Sequence, residues 1–249
     1  TPSGMLNAIG LENPGVDVFI KEKMPFLRAL DTAVIVNIAG ESAAEYAEVA
    51  GKLSVCGGVD AIELNISCPN VKKGGIAFGT APELAAELTA LVRKETALPL
   101  IVKLAPNVTD IVLVAKAVAD AGADILSLVN TFRGMAVDIN TMRPALGNVN
   151  GGLSGPAIRP MALYCVYQVS GAVALPIIGM GGIMEARHAL EFMLCGASAV
   201  SLGTANFIDP GAALKTLEGI RKFCGDNGIS NPAWLTGRAR AGAADKGAE

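Results

Sequence analysis

Histidine is almost missing from this chain. The one present, His188, lies in Met184-Glu185-Ala186-Arg187-His188-Ala189-Leu190, which reads as a helix interior and makes it a surface or second-layer residue. A catalytic triad, a two-histidine metal site and a histidine-activated nucleophile therefore fit poorly. Cysteine is sparse, odd in number and scattered: Cys56, Cys68, Cys165, Cys195 and Cys224, with no CxxC pair. That argues against a zinc or iron–sulfur site in this chain and favours reduced thiols in a cytoplasmic protein. Long apolar runs are lacking too; Ile111–Ala119 is broken by charge or glycine within a few residues, so no membrane span is expected. A net charge of -3 without a Lys/Arg cluster argues against nucleic acid. Aromatics make up only 4%.

What remains is rich in Ala, Gly, Val, Ile and Leu, a composition suited to helices packed on a parallel sheet. The 249 residues suffice for one large core, and a single domain over 1–249 is expected. The opening, Thr1 to Leu11, reads as a glycine-bearing loop, followed by a helix over about Gly15–Ala29. A strand-then-helix rhythm then repeats. Strands are predicted at Ala33–Ile38, Asp60–Ile66, Leu98–Leu104, Asp124–Val129, Pro176–Met180 and Ala199–Leu202. Helices are predicted at Ser42–Leu53, Pro82–Glu95, from Asp110 to about Ala121, at Glu185–Leu194 and at Ala212–Phe223. The longest irregular segment runs from Asn130 to Pro156 and holds Arg133, Asp138 and Arg143, read as solvated charges on a flap or subunit contact. The residues after Trp234 read as a frayed end.

Such βαβ spacing means α/β architecture with a parallel sheet, open or closed. Because the chain opens in a loop and helix, the expectation is a TIM (β/α)8 barrel whose first two strands lie upstream of residue 1. The visible strands are then the third to the eighth.

The chemistry gathers where strands end, the rim on which such a barrel carries its site. The apolar run Ala61-Ile62-Glu63-Leu64 stops at Asn65-Ile66-Ser67-Cys68-Pro69-Asn70. Cys68 is the one group of that cluster able to take a proton near neutral pH, unless it is simply a buried thiol beside a turn. Asn37, Asn65 and Asn130, with Thr131, recur at equivalent strand ends, which suits hydrogen bonding to a planar ligand with imide and carboxylate edges. Lys103, among strand-core residues, either meets an anion or snorkels to solvent. Gly179-Met180-Gly181-Gly182 and Gly203-Thr204 end the last two strands, and Gly155 precedes a helix. Backbone N–H groups there can approach a phosphate, with a hydroxyl from Thr204, or the glycines merely make tight turns.

These motifs, with Ala105-Pro106-Asn107-Val108-Thr109-Asp110, Gly151-Gly152-Leu153-Ser154-Gly155-Pro156-Ala157 and Gly203-Thr204-Ala205-Asn206-Phe207, together resemble class 1 dihydroorotate dehydrogenases. The opening Ser3-Gly4-Met5-Leu6-Asn7-Ala8-Ile9-Gly10-Leu11 resembles their NAD-linked subclass. The resemblance implies an FMN barrel oxidising dihydroorotate to orotate in pyrimidine synthesis. It implies Cys68 as the base at substrate C5 while hydride passes from C6 to flavin N5; a free thiol titrates near about 8.5, so turnover should rise with pH toward that value. Carried over, Asn7, Ala8, Ile9, Gly10, Leu11, Asn65, Asn130 and Thr131 hold substrate, with Asn70 a weaker addition. Asn37, Asn65, Lys103, Val129, Gly155, Gly181, Gly182, Gly203 and Thr204 hold FMN, with Lys103 set against charge gathering on the reduced ring. The resemblance further implies a homodimer joined to a subunit carrying FAD and a [2Fe–2S] cluster, a heterotetramer passing electrons to NAD. Alternatives are a fumarate-linked enzyme, the pyrimidine-reducing barrel of dihydropyrimidine dehydrogenase, and a non-redox phosphate-binding isomerase or aldolase.

Overall fold

The computed structural model describes residues 1–67 and 78–240. Eleven strands and nine α-helices occur among them. In chain order they are β1 (Met5–Asn7), α1 (Val16–Val18), α2 (Met24–Leu27), β2 (Ile35–Ile38), α3 (Ala43–Val55), β3 (Ala61–Asn65), α4 (Pro82–Glu95), β4 (Leu100–Lys103), α5 (Ile111–Asp120) and β5 (Ile125–Leu128). Then follow β6 (Phe132–Gly134), β7 (Val137–Asp138), β8 (Arg143–Pro144), β9 (Gly151–Ser154), α6 (Arg159–Ser170), β10 (Ile177–Met180), α7 (Ala186–Cys195), β11 (Ala199–Ser201), α8 (Ala205–Ile208) and α9 (Ala212–Asp226). All six predicted strands form, as β2 to β5, β10 and β11.

The chain divides into two compact bodies, one of Ile9–Leu126 and one of Thr1–Ala8 with the residues from Ser127 onward. In the first, β2, β3 and β4 pair in parallel, with Asn37 opposite Glu63 and Asn65 opposite Lys103. Ile62, Leu64, Leu100, Ile101 and Val102 are fully buried, as expected of strands covered on both faces. The helices start where local chemistry tells them to. Ser42 caps α3 by accepting the Glu45 N–H at 3.3 Å, while the Glu45 carboxylate accepts the Glu41 N–H at 2.7 Å. Asp110 caps α5 through the Val112 N–H at 2.8 Å. Pro82 opens α4, where its missing N–H is harmless.

In the second body β10 and β11 pair in parallel, and the Val129 N–H donates to the Met180 carbonyl at 3.0 Å. Leu190 and Met193 of α7 pack with Cys224 of α9 and Leu235 to form its helical core.

Four expectations are corrected. The opening loop holds a strand, β1, which pairs antiparallel with β9. The helix expected over Gly15–Ala29 is α1, a π-turn at Phe19–Lys23 and α2; Pro25, which offers no N–H, interrupts the regular ladder there. The segment from Asn130 to Pro156 is not irregular: β6 joins β9, and β7 pairs with β8. Its polar and glycine-rich composition hid strands of two to four residues, too short to show a period. Finally, the end beyond Trp234 is tied down to Arg240, whose guanidinium lies 4.4 Å from the Tyr167 ring centre and donates to Ser170 Oγ at 2.7 Å. Arginine stacks on aromatic faces as readily as it makes ion pairs, which a reading by charge alone overlooks.

His188 sits in the first turn of α7, and its Nδ1 accepts the Met184 N–H at 3.2 Å. That bond requires a neutral ring. Burial first, then the Arg159 guanidinium, push its pKa below the ordinary value, with Arg187 acting the same way and Glu185 and Glu191 opposing. The unfolded chain thus binds more protons than the folded one below pH about 6.5, so this contribution to stability is present above that pH and lost as pH falls. Thermal melts between pH 8 and pH 5 should show the midpoint falling through this window. His188→Asn, which keeps an acceptor and cannot titrate, should flatten that slope; an unchanged slope would exclude His188 as its source.

Candidate active site

In the first body, period-two alternation places Glu63 and Asn65 on one face of β3 while Ile62 and Leu64 take the other. Register then sets Asn37 beside Glu63 and Lys103 beside Asn65 on that same face. The Asn37 amide donates from Nδ2 to Glu63 Oε2 at 2.5 Å. Asn65 is buried; its Oδ1 accepts the Ser67 N–H at 3.3 Å, and the buried Tyr46 hydroxyl donates to its carbonyl at 2.7 Å. Lys103, half-buried, ends β4. Three of the expected flavin residues therefore share one rim, joined by Glu63 and Tyr46, which sequence reading had not assigned. Glu63 was visible as a carboxylate inside an apolar strand. Ile9, Gly10 and Leu11 also belong to this body and are exposed, with Gly10 at a φ of 83°. Cys68 and Asn70 lie outside the described residues.

In the second body the two glycines Gly151 and Gly152 organise the rest. A Cβ on Gly151 would run into the Asn7 carbonyl, and one on Gly152 into the Thr131 side chain. Only glycine lets Asn7 and Thr131 lie against β9 from β1 and from the end of β5. Asn130 Oδ1 accepts the Thr131 N–H at 2.8 Å, and the Ala8 carbonyl accepts Asn148 Nδ2 at 3.4 Å. Four of the expected substrate residues, Asn7, Ala8, Asn130 and Thr131, are thus tied to this one body. The doubled glycine was quoted in the sequence but assigned no role; a consecutive pair inside a short strand was the available signal.

The expected phosphate residues also converge here. Gly155 (φ 87°), Gly181 (φ 125°) and Gly182 (φ 76°) adopt backbone that other residues avoid. A Cβ on Gly182 would stand 2.7 Å from the Gly155 carbonyl, and one on Gly155 would stand 3.4 Å from Thr204 Cγ2. Val129 touches the same spot, its Cγ2 lying 3.6 Å from a Cβ placed on Gly181. Gly203 faces open space, with no atom within 4 Å of its Cβ position. The Thr204 hydroxyl, however, donates to Ser154 Oγ at 2.8 Å, and Ser154 Oγ donates to the Met5 carbonyl at 3.4 Å. The Thr204 proton is thus turned inward.

Two other thiols, Cys165 and Cys195, are held toward the protonated form. Burial pushes the Cys165 thiol up, and burial with the nearby Glu191 carboxylate does the same for Cys195. Among the described residues no group of three or more His, Cys, Asp or Glu side chains is placed to hold a metal ion, and no helix is long and apolar enough to cross a membrane.

Parallel strands alternating with helices define an α/β protein. The comparisons make this specific. The sequence profile of the dihydroorotate dehydrogenase family matches residues 1–223. The chain is 60% identical over 237 residues to the catalytic subunit of dihydroorotate dehydrogenase B (NAD(+)) from Geotalea daltonii, covering 95% of this chain and 78% of that one. The like-named subunits of Desulforamulus reducens and Geobacillus kaustophilus are 56% and 54% identical, each over 96% of this chain and over 79% and 76% of theirs. The crystal structure of DHODH from Eimeria tenella in complex with ferulenol shares the fold, with a TM-score of 0.77 at 21% identity over 94% of this chain and 71% of that one. The chain belongs to the dihydroorotate dehydrogenase family, whose fold is the TIM (β/α)8 barrel.

The cradle makes a stability prediction. Gly182→Ala combines an unfavourable φ with a close approach to the Gly155 carbonyl and should cost about 1–3 kcal/mol in urea unfolding. Gly203→Ala meets nothing and should cost less than about 0.5 kcal/mol. Equal costs at the two positions would contradict the cradle's packing.

Proposed function

We propose that this chain oxidises (S)-dihydroorotate to orotate in pyrimidine biosynthesis, as a cytoplasmic catalytic subunit working with FMN. The observation that carries the proposal is the meeting of Gly155, Gly182 and Thr204 at one place in the second body. They come from three separate stretches of sequence, and the resemblance assigns all three to the same cofactor. The family membership and the relatives' names support the substrate.

The described residues suit FMN. A phosphate monoester needs donors that approach without side chains, and Gly155, Gly181, Gly182, Gly203 and the Thr204 N–H are such a set. Asn37, Asn65 and Lys103 supply amide and ammonium groups for the flat ring, and Val129 supplies an apolar contact. When bound, FMN provides the two-electron acceptor for the hydride leaving C6 of the substrate. Cys68 takes the proton from C5. Lys103 offers positive charge to offset the negative charge that the ring system gains. Asn7 with Ala8, Ile9, Gly10 and Leu11, and Asn65, Asn130 and Thr131, hold the carboxylate and imide edges of the substrate. The Asn65 and Asn130 amides already hold backbone N–H groups through Oδ1, so less ordering of these two side chains remains to be done on binding.

The names of the relatives support NAD as final acceptor and this chain as the catalytic member of a multi-subunit enzyme; the resemblance supplies the rest of the reading, a second subunit carrying FAD and a [2Fe–2S] cluster in a heterotetramer built on a homodimer of this chain. The scattered thiols of this chain are free where described and do not suit a cluster.

The test is direct. The purified protein should carry flavin absorbance, and anaerobic dihydroorotate should bleach it. Cys68→Ala should keep the colour and lose at least 100-fold in the bleaching rate, since removal of a positioned base typically forfeits about 10²–10⁴. Bleaching at the parental rate would remove Cys68 from the mechanism, and protein that takes up no FMN would overturn the whole reading.

A further inference from the structure

We propose that Glu63 is a positioning residue: its carboxylate holds the Asn37 side-chain amide in one orientation, so that Asn37 presents a carbonyl acceptor, and not an N–H donor, to the flavin ring. This rests on the assignment of Asn37 to FMN made above.

The first reason is where Glu63 stands. It is half-buried in the middle of β3, on the face opposite Ile62 and Leu64 and on the same face as buried Asn65. A carboxylate held against a strand surface gains from a hydrogen-bond donor beside it. The parallel register supplies one directly opposite, because Asn37 and Glu63 are cross-strand partners on the same face. Asn37 Nδ2 reaches Glu63 Oε2 at 2.5 Å.

The second reason is chemical. An ionised carboxylate only accepts, so an asparagine beside it must turn its NH2 inward. The planar amide then has one remaining state, with Oδ1 turned away from Glu63. An asparagine without that neighbour can flip, and a ring edge can pair with only one of its two states. An outward Oδ1 selects a ligand that offers a ring N–H at this point, which an isoalloxazine imide does. Tyr46 fixes Asn65 from behind in a comparable way, through the strand carbonyl.

The experiment is a double-mutant cycle on the apoprotein, read as the FMN dissociation constant from flavin fluorescence quenching. Glu63→Leu keeps the strand and should weaken binding about tenfold, the scale of a lost charge-assisted hydrogen bond. Glu63→Gln, whose side-chain carbonyl can still accept from Asn37, should stay within about threefold of the parent. In an Asn37→Ala background either substitution at Glu63 should add less than about twofold, because the group it orients is gone. Two results would overturn the proposal: parental affinity in Glu63→Leu, or losses that multiply in full in the double variant. If Glu63→Leu does not fold, Glu63→Ala, which also removes the acceptor, takes its place in the cycle with Asn37→Ala and is judged by the same criterion, a loss that vanishes without Asn37 against one that persists. A parental apoprotein that binds no FMN would instead refute the proposed function, so the two failures are separable.

Discussion

Strand register is the constraint on which this structure depends. In the first body, β3 is covered on both sides, and its side chains alternate between a face that must be apolar and a face that carries the site. Shifting its pairing by one residue would drive Glu63 and Asn65 into the place of Ile62 and Leu64. Burying an unpaired amide or carboxylate costs about 1–3 kcal/mol or more for each group, while Leu64 would lose about 1.5–3 kcal/mol of burial. The native register therefore exceeds its nearest competitor by several kcal/mol from one strand alone. The same choice that buries the core lines up Asn37 with Glu63 and Asn65 with Lys103. Folding and site assembly are here a single decision.

The second body meets the same need by a different device. The residues expected to form a site there come from β1, from the segment after β5 and from the turns after β9, β10 and β11, and no single ladder holds them all. Close backbone approach replaces register. Gly151 admits the Asn7 carbonyl, Gly152 admits Thr131, and Gly155 and Gly182 stand against each other. Each contact requires a missing side chain, so the glycines act as sockets whose spacing determines which polar groups become neighbours.

This difference decides what could be read from the sequence. Register and apolar alternation leave a periodic trace, so the six parallel strands, the helices beginning at Ser42, Pro82 and Asp110, and the strand-end positions of Asn37, Asn65 and Lys103 were legible. Sockets leave only glycine letters, which mark a turn and an approach alike. The pairing of β1 with β9 joins residues far apart in sequence, Met5 with Ser154 for one, and no local pattern announces such pairing. Hydroxyl direction is beyond sequence for the same reason. That Thr204 turns its proton to Ser154 follows only from Ser154 spending its own on the Met5 carbonyl.

That last chain of bonds links the two halves of the second body's chemistry. Met5 belongs to β1, two residues from Asn7; Thr204 lies in the glycine cradle; Ser154 joins them and ends β9, the strand on which Asn7 and Thr131 rest. The backbone that carries the expected substrate residues is thus bonded, through two hydroxyls, to the backbone that carries the expected phosphate donors.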